Sequence, residues 1–231
     1  MMVALVIGIT SGALVLGAWI GVRGWLSERA EGLLVAGAGG ALIVSVMMEL
    51  IEPALDVIGL PGTAGIVLLG AALFSAADAW TDRHMARAGG LGLLLAVTFD
   101  GVPENLALGT ALIGTGPLGV AALAGSILLS NLPEAAGGAA SMREDGESGT
   151  RIILLWTAVA ALLSISALAG RWFLADVPDG TVEAITCFSA GAVLASLSTE
   201  VFPKAGRQDP HLAGIAVALG LVVALSLEQL G

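Results

Sequence analysis

Apolar runs of about 20 residues recur from one end of the chain to the other, each long enough to cross a bilayer as a helix. In hydrocarbon every backbone N–H and C=O must be bonded internally, which leaves helices or a closed barrel. Strict alternation is absent, and the Ala/Leu/Gly runs exceed strand lengths, so helices are expected. Only 12% of the 231 residues are charged, about half the share usual in a water-soluble domain. The mean hydropathy is +0.96. The chain reads as an all-α polytopic membrane protein, one domain over 1–231 with no appended module.

Polar punctuation and Gly/Pro breaks divide it into eight expected spans. They cover about 3–22, 31–52, 62–80, 89–113, 117–141, 151–174, 181–203 and 211–229. With the N-terminus outside, the inner loops hold Arg23, Arg29, Arg83, Arg87, Arg143, Arg151, Lys204 and Arg207, and the outer loops only Arg171. Eight basic residues against one is a strong positive-inside bias, so both termini are expected outside a cell (inner) membrane. The start of the chain has no basic residues before its apolar run, which reads as a first span rather than a cleaved signal peptide. The formal charge of −10 and the want of a basic patch in the sequence argue against nucleic acid as a partner. Cys187 is the lone cysteine, so no internal disulfide can form.

Two internal matches organise these spans. Gly40-Ala41-Leu42-Ile43-Val44-Ser45-Val46-Met47-Met48-Glu49 aligns with Gly191-Ala192-Val193-Leu194-Ala195-Ser196-Leu197-Ser198-Thr199-Glu200 at an offset of 151, with Gly, Ala, Ser and Glu in register. Pro103-Glu104 and Pro133-Glu134 repeat at an offset of 30. In the expected topology both matches join spans of opposite direction. Spans 1–3 (about 3–80) and 6–8 (about 151–229) then form one inverted pair, and spans 4 and 5 (about 89–141) another. A 3+2+3 inverted repeat with prolines at midmembrane is the plan of many secondary transporters.

The second match carries the chemistry. A carboxylate at the bilayer centre costs about 2.5–3.5 kcal/mol on insertion scales and persists with a partner, a proton or a water-filled path. Asp100 and Glu104 are four residues apart and share a helix face; Ser130, Asn131 and Glu134 occupy the matching face of span 5. Pro103 and Pro133 lack an N–H, so each is expected to free a carbonyl and bend its helix. The result is an oxygen-rich set without a basic partner, suited to a cation. The structural alternative is a pair of protonated acids hydrogen-bonded between helices. Asn105 and Ser130 alone would be interhelical glue. Glu49 and Glu200 lie late in their spans, as pathway acids or as interfacial ones. Glu52, Asp78 and Glu228 fall at span ends, and His84 and His211 in inner loops.

Asp100-Gly101-Val102-Pro103-Glu104-Asn105-Leu106-Ala107 and Ser130-Asn131-Leu132-Pro133-Glu134-Ala135 resemble the span 4 and span 5 motifs of the ZIP family of divalent metal transporters. Gly191 to Ala205 and Gly40 to Ala54 resemble that family's spans 7 and 2. The resemblance covers essentially the whole chain. It implies a metal permease, often a homodimer, with one or two metals held between helices 4 and 5. Asp100 stands where the family has a ligand His, and Gly101 where it has Asn. Glu104 and Glu134 match its metal carboxylates, Ser130 and Asn131 replace stronger ligands, and span 6 offers only Ser164 and Ser166. With no imidazole left, the ligand set shifts toward oxygen, away from strict Zn²⁺ preference.

The expected function is uptake of a divalent cation (zinc by resemblance; manganese, iron or cadmium also suit the ligands) by alternating access, with Glu200 near the inner exit. The chain is not expected to be an enzyme. An intramembrane hydrolase using Asp100 and Glu104 is the competing class, and no His-Glu-x-x-His, Gly-x-Gly-Asp or nucleophile motif supports it. A non-transporting, metal-sensing relative is a third.

Overall fold

The structure is a computed structural model that describes residues 2–85, 90–113, 120–174 and 176–229. The described residues are helical almost throughout, with no strands. Helices α1 (Met2–Val22) and α2 (Glu28–Ser45) are followed by a π-helical segment, π1 (Val46–Ile51), and then by α3 (Glu52–Met85). Next come α4 (Gly90–Ala111), α5 (Ala121–Glu144), α6 (Gly149–Phe173) and α7 (Asp179–Ser196). A second π segment, π2 (Leu197–Val201), leads into α8 (Phe202–Gln208), and α9 (Pro210–Glu228) completes the order.

Five stretches among the described residues are apolar and long enough to cross a membrane: Val3–Val22, Glu28–Thr81, Gly149–Phe173, Asp179–Gln208 and Pro210–Leu227. The second, 54 residues long, is broken at Gly59, where φ is +71°. Only glycine adopts that left-handed conformation without strain, and Pro61 then restarts the helix. Helices α4 and α5, of 22 and 24 residues, match these rods in length and pack among them. Large apolar side chains face outward, among them Leu60 and Leu68 (each 69% exposed), Leu154 and Ile165. An outer surface of that kind belongs in lipid, so the protein is membrane-embedded.

The rods run past several expected boundaries. The helix that holds expected span 2 begins at Glu28 and runs to the break at Gly59, three residues earlier and several later than polarity suggests, and residues 81–85, beyond the expected end of span 3, are the last turn of α3. The polar caps explain the starts: Ser27 Oγ accepts from Ala30 N, Ser148 Oγ from Arg151 N, and Asp209 Oδ1 from Leu212 N. Helices α4 and α5 each continue through Pro103 and Pro133. The irregular backbone lies instead in π1 and π2.

Glycine sets how the rods touch. A Cβ on Gly17 or Gly21 of α1 would collide with the Leu132 or Ala136 carbonyl of α5, and one on Gly109 of α4 with the Ala167 carbonyl of α6. Gly40 of α2 meets the Val217 carbonyl of α9 in the same way, and Gly191 of α7 the Val67 carbonyl of α3. In lipid there is little hydrophobic drive between helices, so such backbone contact is a main source of association. The contacts also fix direction. Along α2 and α9, Gly32 meets Gln208 just before α9, Ala36 clusters with Ala213, and Val44 with Ala224, so these helices run parallel. By the same test α1 is parallel to α5, α4 to α6, and α3 to α7. Helices α2 and α5 run antiparallel, with Glu31 against Gly137 at one end and Glu49 against Leu123 at the other.

Two outcomes follow. Gly40→Ala and Gly191→Ala should each destabilise by about 1–3 kcal/mol through overpacking, whereas Gly65→Ala, with open space around its added methyl, should be neutral or stabilising by up to about 1 kcal/mol; thermal unfolding in detergent reads both signs. The second concerns Asp209, whose carboxyl is held below the usual range by the Leu212 N–H and then by Arg29, 2.8 Å away. Its stabilisation is present above the unfolded titration near pH ~3.9 and is lost as pH falls through the lower folded value. Wild type should therefore be more stable than Asp209→Ala at neutral pH, the gap closing in strong acid.

Candidate functional site

The two Pro-Glu motifs lie on neighbouring helices that pack on each other. In α4, Glu104 is 4% exposed and Asn105 wholly buried. In α5, Ser130 and Asn131 are buried and Glu134 is partly so. Asp100 falls in the helical backbone of α4, and its side chain lies outside the described residues. Among the described residues no three His, Cys, Asp or Glu side chains gather closely enough to hold a metal ion. A cation here would draw on Glu104, Glu134, Ser130 and Asn131, with Asp100 one turn before Glu104.

The polar neighbours are tied in specific ways. Asn131 Nδ2 donates to the Thr10 carbonyl of α1 at 3.2 Å, which leaves its oxygen end for another partner. Ser130 Oγ donates to the Ile127 carbonyl, and Asn105 Nδ2 to the Gly101 carbonyl at 2.9 Å. Both bonds stay within one helix. Asn105 Oδ1 is buried without a hydrogen-bond partner among the described residues, an arrangement that costs about 1–3 kcal/mol unless another group satisfies it.

The glycine at 101 has a packing reason. A Cβ there would lie 2.6 Å from Leu163 Cδ1, and Leu163 is fully buried. Leu163 of α6 fills the space a side chain at 101 would need. In span 6, Ser164 Oγ is hydrogen-bonded to the Ala160 carbonyl and to Ser11 Oγ of α1, and Ser166 Oγ donates to the Leu162 carbonyl.

The flanking acids fall in the π segments. Glu49 lies in π1 and Glu200 in π2, and the segments begin at Val46 and Leu197, which are again 151 residues apart. Ser45 and Ser196, the residues just before, both have a buried hydroxyl oxygen without a hydrogen-bond partner among the described residues. Single π turns inside helices are frequent at functional positions. Glu49 also caps a helix. Its Oε1 accepts from Leu123 N at 2.9 Å, bonding one of the free N–H groups in the first turn of α5.

Glu31 belongs to no motif in the sequence, and Lys204 falls just beyond the expected end of span 7. The structure joins them as an ion pair between the first turn of α2 and α8. The one signal in the sequence was that Lys204 is the only lysine in the chain.

No protein-family model matches the chain, and no curated protein sequence does.

Glu49→Ala leaves the Leu123 N–H without its acceptor. The expected cost is about 1–3 kcal/mol, with faster amide hydrogen exchange confined to the first turn of α5.

Proposed function

We propose that this chain is a divalent-cation transporter with eight membrane crossings, working by alternating access around the carboxylates of α4 and α5. The observation that carries the reading is the doubled Pro-Glu motif: Glu104 and Glu134 occupy the same motif position on two packed helices, and Glu104 is buried where only a partner, proton or ion makes charge tolerable. The break at Gly59 divides Glu28–Thr81 into two crossings, which with α1, α4, α5, α6, the α7–α8 rod and α9 makes eight.

The helix pairings support a 3+2+3 inverted repeat. Exchanging α1 with α6, α2 with α7, α3 with α9 and α4 with α5 turns the α1–α5 pair into α6–α4 and the α2–α9 pair into α7–α3. All four pairs are present and parallel. Gly40 and Gly191, Ser45 and Ser196, and the two π segments hold equivalent places in it. The Ser11–Ser164 bond joins α1 and α6, the two helices exchanged in this scheme. The resemblance of both motifs to those of the ZIP family supports the substrate class, zinc foremost, with manganese, iron or cadmium suited to an all-oxygen set. On this reading both termini lie outside the inner membrane, and two copies assemble as a homodimer.

Purified chain in liposomes should carry Zn²⁺, Mn²⁺, Fe²⁺ or Cd²⁺ inward, and Glu104→Gln with Glu134→Gln should reduce flux to the empty-liposome level. Flux should also fall as pH is lowered, because protons compete for the carboxylates. No flux in wild type, or undiminished flux in the double variant, sinks the reading. Metal binding without flux would single out a sensing relative.

A further inference from the structure

The Glu31–Lys204 pair stands apart from the polar groups of α4 and α5. Glu31 is 9% exposed, in the first turn of α2, and its carboxylate lies against the backbone of α5 at Gly137. A Cβ on Gly137 would collide with Glu31 Oε1, so only glycine leaves room for the acid there. Gly137 follows Glu134 by three residues, about one helical turn. Helix α8 brings Lys204 to the same spot, its packing on α2 set by Gly32 against Gln208.

A permanent structural tie at this place has a better candidate than lysine. Arginine binds a carboxylate through a rigid fork, whereas lysine offers a compact point charge on a flexible stem. The chain has eight arginines and places its single lysine here. The lysine follows π2, the irregular turn that joins α8 to α7. A buried carboxylate one turn from a proposed metal ligand, neutralised by a detachable monovalent cation, is a cation seat with a tethered occupant.

We propose that Glu31 is a second, inner cation subsite, held by the Lys204 ammonium until a divalent cation, passed on from Glu134 during transport or reaching the seat directly from the inner face, displaces it. The displaced lysine unties α8 from α2 and opens the inner end. When the cation departs, the ammonium returns and closes it. This rests on the transport reading for the direction of travel, while the seat itself is a matter of binding.

The single lysine makes the test direct. Purified wild-type chain is treated with an acetylating reagent with and without Zn²⁺, at matched ionic strength, and modification of Lys204 is followed by peptide mass spectrometry. The expected result is several-fold faster acetylation with Zn²⁺. Glu31→Gln should label fast and indifferently to Zn²⁺, and Glu104→Gln with Glu134→Gln should keep the acceleration, since the seat is separate from those carboxylates. An unchanged or slower rate in wild type overturns the proposal, even where Zn²⁺ flux is intact. Loss of the acceleration in the Glu104/Glu134 double variant also overturns it, because the effect is then relayed from the central site. Acceleration without flux in liposomes leaves the seat standing and removes the transport reading. Should Glu31→Gln fail to fold, the wild-type rates and the double variant decide.

Discussion

Contact between a glycine Cα on one helix and a carbonyl on the next is the interaction on which the arrangement depends. At Gly17, Gly21, Gly40, Gly109 and Gly191 no side chain stands between the backbones. In lipid, where burying leucine against leucine changes little, this closeness supplies the dispersion that holds the helices together. It also removes freedom. A contact made by backbone has one register, so the four parallel pairs fix the heights of Glu104, Glu134, Glu49 and Glu31 relative to each other. Side chains elsewhere on the rods, facing outward, have no such duty and are simply apolar.

Irregular backbone is placed beside the polar helices and not within them. The proline motifs leave α4 and α5 continuous, while the helices that pack on them, α2 and α7, change pitch at π1 and π2. A π turn shifts hydrogen-bond register by one residue and leaves groups near it without their usual partners. The buried hydroxyls of Ser45 and Ser196 sit at those shifts. The acid-bearing core is therefore regular, and the capacity for local rearrangement lies in the elements around it.

Much of this was legible in the sequence, for definite reasons. Helical class followed from the length of apolar runs and the need to bond every backbone group in lipid. The 151-residue match was legible because Gly, Ala, Ser and Glu keep register across it, and the structure gives the two copies the same π turn. Boundaries were less so: caps at Ser27 and Ser148 extend helices into polar text, and a glycine with positive φ, not a charged loop, breaks the second apolar stretch at Gly59. Helices α4 and α5 run on through Pro103 and Pro133, since a missing N–H weakens a helix without obliging it to end. The reason for Gly101 was hidden because Leu163 is 62 residues away. The Glu31–Lys204 pair was hidden for the same reason, being set by the meeting of α2, α5 and α8 in space.

The parallel pairing bears on how such a chain comes to be assembled. Helices that follow one another in sequence leave in opposite directions, so a parallel partner is always further along the chain. Helix α1 finds α5, α2 finds α9, and α3 finds α7. The glycine face of α2, with the acid at its first turn, therefore enters the bilayer before either its backbone partner or the lysine that neutralises it has been synthesised. Contacts of such long sequence separation form late. Helix α2 must wait in the membrane without its backbone partner until α9 has been made.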